Sequence, residues 1–259
     1  RKALQAGTSH NLGTNFSKAF EVTFQDRDGQ LKNPYSTSWG VSTRLIGALI
    51  MAHSDDQGLI LPPKLAQTQV VIVPIARNEE EWGTVLEAGM RIRAELREKG
   101  IGVKLDDDTK QKPGWKFAEY ELLGIPLRIE LGPRDLAAEQ VVLARRDNRE
   151  KLTVPMAGLA DHVEAMLNTI QEAIYEKALK FRDESIFTVN SYDELKEIIA
   201  AEKGWVRTFW DGDPATEARV KEETKATIRC IPFEQPQTMG TDPVSGQPAK
   251  HEVLYAKAY

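Results

Sequence analysis

Residues 38–50, S-W-G-V-S-T-R-L-I-G-A-L-I, set a full charge at the head of an apolar run. Arg44 follows a turn of small residues and opens what reads as a buried helix. A guanidinium there has two uses. It can cap the turn or pair with an acid, or it can meet an anionic ligand that the Gly-Val-Ser-Thr turn lets close to the backbone. In the second case its delocalised, permanent charge stacks on a base or holds a phosphate. A second cluster lies at residues 7–13, G-T-S-H-N-L-G, where Thr8, Ser9 and His10 stand between two glycines. Small hydroxyls and an imidazole on such a turn make a site for a small polar ligand, or else satisfy their own backbone. A third, H-S-D-D-Q-G at residues 53–58, offers His53, Asp55 and Asp56 either as metal ligands or as a helix cap and a turn.

These groups need elements to hold them. F-E-V-T-F, residues 20–24, reads as a strand, and the double proline of L-I-L-P-P, residues 59–63, closes the first segment. Q-V-V-I-V-P-I, residues 69–75, is a short, wholly apolar, β-branched run, the pattern of a parallel strand covered on both faces. Val85, Leu86, Met90, Ile92 and Leu96 recur at helical spacing over residues 79–99. A strand (101–105), a Pro-Gly-initiated helix (115–123) and a strand (125–131) follow, and runs at 141–146 and 151–155 complete the set. Strands and helices alternating through short loops imply a small α/β domain with a mixed sheet. An acidic, alanine-containing helix from Met156 to about Arg182 then leads away. The remainder has a strand at 206–210, a helix at 217–223 and two β-like runs at 227–233 and 251–259.

Composition sets the bounds. The chain has 259 residues, 41% hydrophobic and 28% charged, enough for two or three modest cores. No stretch approaches the roughly 18 consecutive apolar residues of a membrane span, so no membrane partner is expected. The net charge of −5 argues against indiscriminate nucleic-acid binding, but residues 1–66 and 109–151 are net positive and the rest net negative. A phosphate-binding surface belongs in those two segments. Cys230 is the sole cysteine, which leaves no disulfide framework and no cysteine-based zinc site. It reads as core within a strand, and the cytoplasm is the fitting compartment. A start at Arg1, without Met or a secretory pattern, is expected of a piece of a longer polypeptide.

Two stretches carry a resemblance. Residues 5–20, Q-A-G-T-S-H-N-L-G-T-N-F-S-K-A-F, and residues 38–66, S-W-G-V-S-T-R-L-I-G-A-L-I-M-A-H-S-D-D-Q-G-L-I-L-P-P-K-L-A, are similar to the prolyl-tRNA synthetase family. The second resembles the third signature motif of class II aminoacyl-tRNA synthetases. P-G-W-K-F (113–117) and G-I-P-L-R-I-E-L-G-P-R-D (124–135) resemble that family's anticodon-binding domain. The final A-K-A-Y resembles the ending of its archaeal and eukaryotic-type members.

The resemblance implies an α/β (α+β) chain in three parts. Residues 1–66 would be the C-terminal part of an antiparallel-sheet catalytic domain, 67–156 an anticodon-binding domain with a mixed sheet, and 157–259 a linker helix with a small α+β domain. It implies an ATP-dependent proline–tRNA ligase: proline's carboxylate attacks the α-phosphate of ATP, and a ribose hydroxyl of tRNA(Pro) then takes the prolyl group. Such chemistry needs positioning and charge compensation, shared between arginines and Mg2+. By motif, Gln5, Thr8, Thr43 and Arg44 would contact ATP. His10, Trp39, Gly40 and Ser42 would line the site of L-proline, and Arg44 and His10 would be the catalytic pair. Glu121 and Arg128 would read anticodon guanines, since a carboxylate suits guanine's donors and a guanidinium its acceptors. Before the family match, a mutual salt bridge explains that pair equally well. Lys116, Phe117 and Arg134 would stack or contact phosphate beside them, and D-D-D at 106–108 reads as a solvated loop. The family also implies a homodimer.

Two departures stand out. Relatives often hold zinc through four cysteines near the positions of Asp211, Thr216, Asp242 and Ser245 here, so no metal is expected and packing alone should hold this part. The first two class II motifs are not found. The competing reading is a catalytically silent, synthetase-like tRNA-binding protein, and a third makes the C-terminal part a docking surface.

Overall fold

A computed structural model describes all 259 residues. They form two compact units, Leu49–Lys180 on the one hand and Arg1–Ala48 with Phe181–Tyr259 on the other. The N-terminal part is a ribbon rather than a core. β1 (Gly7–Gly13) pairs antiparallel with β4 (Ser36–Val41). Between them come α1 (Asn15–Ala19) and a hairpin of β2 (Phe24–Gln25) and β3 (Leu31–Lys32). Two expectations are corrected here. The G-T-S-H segment is a strand, not a turn. The strand expected at 20–24 survives only from Phe24, because Glu21 has φ 55°, a left-handed conformation that interrupts an extended run. α2 (Arg44–His53) is apolar as expected, yet none of its residues is fully buried.

The central unit is built on a five-stranded sheet. Its elements are β5 (Val70–Pro74), α3 (Glu79–Glu98), β6 (Val103–Leu105), α4 (Pro113–Leu122), β7 (Leu127–Leu131), α5 (Pro133–Ala137), β8 (Gln140–Arg145), β9 (Lys151–Pro155) and α6 (Leu159–Glu184). The strand order is β6-β5-β7-β8-β9. The first three are parallel, and β8 and β9 add an antiparallel meander. Asn78 caps α3 by accepting from the Glu81 N–H at 2.9 Å, and three glutamates occupy the positive end of that helix. Strand alternation then sorts the side chains. Val70, Ile72, Leu127, Ile129, Leu131, Val141, Leu143 and Val154 point to one face and pack with α3 and with Leu159, Val163, Leu167 and Ile170 of α6. The helix expected to lead away therefore buries its first turns on the sheet. On the other face Val71 and Val73 meet Tyr120, Phe117 and Ile125, from α4 and the turn after it.

Residues 54–66 belong with this sheet by their bonds. Leu59 N–H donates to Leu122 O at 3.0 Å and Leu61 N–H to Gly124 O at 3.2 Å. Gly124 has φ +72°, and a Cβ there would lie 2.5 Å from the Leu59 side chain, so only glycine lets the segments meet. Arg146, almost fully buried, clasps the same turn. It donates to Asp55 at 3.0 and 2.6 Å, to Gly58 O at 3.1 Å and to Glu121 O at 2.9 Å. Of the two readings of H-S-D-D, the structure follows the turn.

In the C-terminal part β10 (Ile186–Thr188), α7 (Tyr192–Ala200), β11 (Trp205–Trp210), α8 (Pro214–Thr224), β12 (Ala226–Cys230) and β13 (His251–Lys257) form a sheet of order β10-β11-β13-β12. Its core holds Leu195, Ile199, Val206, Val220, Val253 and Tyr255. α7 is an element that apolar runs alone did not reveal; its signal is the capping pair Ser191 and Glu194, with the Glu194 N–H donating to Ser191 Oγ at 3.3 Å. Cys230, expected in the core, is exposed. Asp211, Thr216, Asp242 and Ser245 do come together, bound to one another. Thr216 donates to Asp211 at 3.0 Å, and the backbone N–H groups of Asp211 and Ser245 donate to Asp242 at 2.9 and 3.3 Å. Asp242 is only 1% exposed, so this knot, and not packing alone, closes the turn-rich stretch onto α8.

The Asp55–Arg146 clasp makes stability depend on pH. The bond from Arg146 holds the Asp55 carboxyl well below the usual carboxylate range, against a smaller effect of burial. A depressed folded pKa stabilises above the unfolded value of about 3.9 and is lost as pH falls through the folded pKa. Asp55→Asn is therefore expected to lower the urea midpoint at pH 7 and to flatten its fall below pH ~4. Parallel pH curves for wild type and variant would show the clasp to be idle.

Candidate functional site

Two groups of side chains come together with chemistry to spare. The first lies on the β1–β4 ribbon. Directly opposed residues of an antiparallel pair project to the same side. Thr8 opposes Gly40 and His10 opposes Ser38, which puts these four on one face. A Cβ on Gly40 would sit 3.4 Å from the Thr8 hydroxyl, so the glycine keeps that face shallow. Ser9 opposes Trp39, and Gly7 opposes Val41, on the reverse. Of the residues expected to line a proline site, His10 and Gly40 share one face of the ribbon, and Trp39, 80% exposed, lies on the other.

Beyond the strand, Ser42 N–H donates to Ala6 O at 3.1 Å, and the Ser42 hydroxyl accepts from the Arg44 N–H at 3.2 Å. Thr43 is exposed beside it and begins the helical turn, its carbonyl accepting from Ile46 N–H at 3.0 Å. Arg44 Nη1 reaches Gln5 O and Oε1, each at 3.4 Å. These bonds are long and exposed, and no acid pairs with the guanidinium. Gln5, Thr8, Ser42, Thr43 and Arg44 are thus neighbours at one end of the ribbon, with the charge available to a ligand. His10 lies further along the same face.

The second group lies on the sheet face that α4 leaves half covered. Arg128 and Glu130 are two residues apart on β7 and share that face. Nε and Nη2 of Arg128 donate to Glu130 Oε1 at 3.1 and 2.9 Å, and Nη1 donates to Glu121 Oε1 at 3.1 Å. The guanidinium carbon lies 4.0 Å from the centre of the Phe117 ring, a stacked cation–π contact. Along the register, Arg128 is followed by Ala144 on β8 and then Lys151 on β9. The small alanine lets Lys151 reach across to Glu130 at 2.8 Å and lie 5.5 Å from the Phe117 ring. The mutual salt bridge between Glu121 and Arg128 is thus present. Glu130 and Lys151 are members that motif reasoning passed over. The signal for Glu130 is the i, i+2 spacing of L-R-I-E-L within a strand.

Lys116 departs from expectation. It is 2% exposed, and its ammonium donates to Asp106 at 2.8 Å and to the Asp108 carbonyl. Tyr120 donates to the other Asp106 oxygen at 2.9 Å. Asp106 is thus buried rather than part of a solvated loop. Burial pulls its pKa upward, but the Lys116 and Tyr120 bonds outweigh this and hold it below the usual range. Burial first, and then Asp106, push the Tyr120 hydroxyl up. Phe117 and Glu121, one helical turn apart on α4, both contact Arg128, whereas Arg134 stands exposed on α5. A cavity of about 320 Å³ at the carboxyl ends of β5 and β6, lined by Asn78, Trp82, Asp108 and Lys116, adjoins this knot. No group of three or more His, Cys, Asp or Glu is placed to hold a metal ion, and no helix is long and apolar enough to cross a membrane.

Comparison with known proteins bears on both groups. Residues 69–166 match the family model described as anticodon binding domain, and residues 192–259 match that of the prolyl-tRNA synthetase C-terminal domain. A proline--tRNA ligase of Porphyromonas gingivalis (strain ATCC BAA-308 / W83) is 54% identical over 258 residues, covering 100% of this chain and 52% of its own length. One from Chloroflexus aurantiacus (strain ATCC 29366 / DSM 635 / J-10-fl) is 52% identical over 261 residues, covering 100% of this chain and 54% of its own. One from Cytophaga hutchinsonii is 52% identical over 258 residues, with 100% and 52% covered. The chain spans about half the length of the curated relatives it matches.

Lys116 buried on Asp106 has a measurable consequence. Breaking a buried ion pair from one side strands the other charge, at a cost of roughly 3–5 kcal/mol. Lys116→Met should lower the unfolding free energy by about 3 kcal/mol in urea melts. A melt like that of the wild type would return Lys116 to the surface role.

Proposed function

Because the chain belongs to the prolyl-tRNA synthetase family, we propose that it supplies the tRNA-reading part and the third-motif part of a proline–tRNA ligase. The observation that carries this reading is Arg128, itself buried, stacked on Phe117 and held between Glu121 and Glu130, with the exposed Glu121 and Lys151 beside it. Guanine offers N1–H and amino donors beside an O6 acceptor, and an acid next to an arginine is the complement of that edge. The ring of Phe117 and the plane of Arg128 give an unstacked base a surface to lie on. The partner is tRNA(Pro), read through its anticodon. Arg134, exposed on α5, serves the RNA backbone.

At the ribbon, Arg44 faces the nucleotide. A permanent, planar cation compensates charge developing on the α-phosphate of ATP and stacks on adenine, with Gln5, Thr8 and Thr43 beside it. Mg2+ shares that compensation. His10, Trp39, Gly40 and Ser42 serve the proline side. Residues 1–66 then contribute the third class II motif, 67–156 the RNA reading and 157–259 the C-terminal part, in a cytoplasmic homodimer.

Activation and charging separate the two groups. In the full-length protein, Arg44→Ala should cut proline-dependent exchange of labelled pyrophosphate into ATP and raise the ATP requirement. Exchange that is absent from the unaltered full-length protein would sink the ligase reading. Glu121→Ala or Arg128→Ala should weaken tRNA charging by about tenfold or more, the worth of one good base contact, while leaving exchange nearly intact. If both steps fell together, the division of labour would be wrong.

A further inference from the structure

We propose that Glu130 is a positioning residue for guanine recognition: it keeps Arg128 aligned on Phe117 while Glu121 leaves Arg128 for the base. The inference rests on the anticodon reading above. A guanidinium has five N–H groups. Nε and Nη2 are given to Glu130, and one N–H of Nη1 to Glu121. The two acids differ in freedom. The Glu121 side chain is 38% exposed and rides on the last turn of α4, whereas that of Glu130 is 11% exposed in the middle of the sheet. Lys151 also ties Glu130 down, lying 2.8 Å from Oε1 and 3.0 Å from Oε2.

Recognition then works as an exchange. Glu121 swings from Nη1 to the N1–H and amino donors of guanine, and the vacated Nη1 donates to O6. Each hydrogen bond given up is replaced, so the swap costs little for guanine. Adenine carries an amino group where guanine has O6 and no proton on N1, so it leaves both Nη1 and Glu121 unsatisfied. The scheme requires Arg128 to stay in place when its exposed partner departs, and Glu130 is the group that holds it. Glu130 also balances charge. Arg128 and Lys151 are offset by Glu121 and Glu130, so the site attracts no phosphate indiscriminately and its contribution is to base choice.

The test measures binding of the protein to an RNA hairpin whose loop carries the proline anticodon, and to a copy with adenine in place of the read guanine. Wild type should favour the guanine hairpin by about tenfold or more. Glu130→Gln, nearly isosteric, should bind the guanine hairpin almost as weakly as the adenine one, with adenine-hairpin affinity unchanged and the melting temperature lowered by loss of the Glu130 ion pairs. Glu130→Asp, which keeps the charge but withdraws it, should fall between and serves if the glutamine variant folds poorly. An equal loss on both hairpins would mark a purely structural role and overturn the inference, as would full preference in both variants. Wild type with no preference for guanine would overturn the anticodon reading itself, and this inference with it.

Discussion

A five-stranded sheet has two faces to cover, and this one has helices for about one and a half. α3 and α6 bury most of the first face, leaving Leu152 of β9 exposed. α4 covers the second only over β5, where Val71 and Val73 meet Tyr120 and Phe117. The rest of that face carries Arg128, Glu130 and Lys151 beside Val142 and Ala144, and such polar groups must find partners or face water. Arg128, Glu130 and Lys151 meet that requirement among themselves, with Ala144 as the gap across which they reach. The half-covered sheet is thus the origin of the site. A further helix there would cover Glu121 and Lys151, and one fewer would remove Phe117, which Arg128 contacts.

The same logic of register governs the ribbon. Two strands without a third leave both faces exposed, so which residues cooperate is decided by pairing rather than by proximity in sequence. Thr8, His10 and Gly40 share a side, and Trp39 and Val41 take the other. Arg44 stands where the strand gives way to a helix, held only by the side chain and carbonyl of Gln5. A charge so weakly engaged is suited to accept a ligand and contributes little to the fold.

Much of this was legible before any coordinates. V-V-I-V announces a strand covered on both faces, and L-R-I-E-L is an alternation whose polar members must share one side. The resemblance pointed to Glu121 and Arg128, which the structure brings into contact, and strand spacing alone points to Glu130. Other features were not legible, for physical reasons. The burial of Lys116 depends on Asp106, ten residues away and brought near only by the β6–α4 connection. Glycines around T-S-H suggest a turn, but a partner strand 30 residues on makes the segment extended. The exposure of Cys230 follows from its place at the end of an edge strand, which composition does not report. Asp211, Thr216, Asp242 and Ser245 form their knot through tertiary pairing across the turn-rich stretch.

The central claim is that RNA bases land on the open half of the sheet, between α4 and β9. Photocrosslinking tests it most directly: the anticodon hairpin is made with 6-thioguanine at its guanines, bound to the protein, irradiated, and the linked peptide identified by mass spectrometry. The account expects crosslinks within residues 113–130 or 151–155. Crosslinks confined to the C-terminal sheet at 186–257, or to α3, would contradict it.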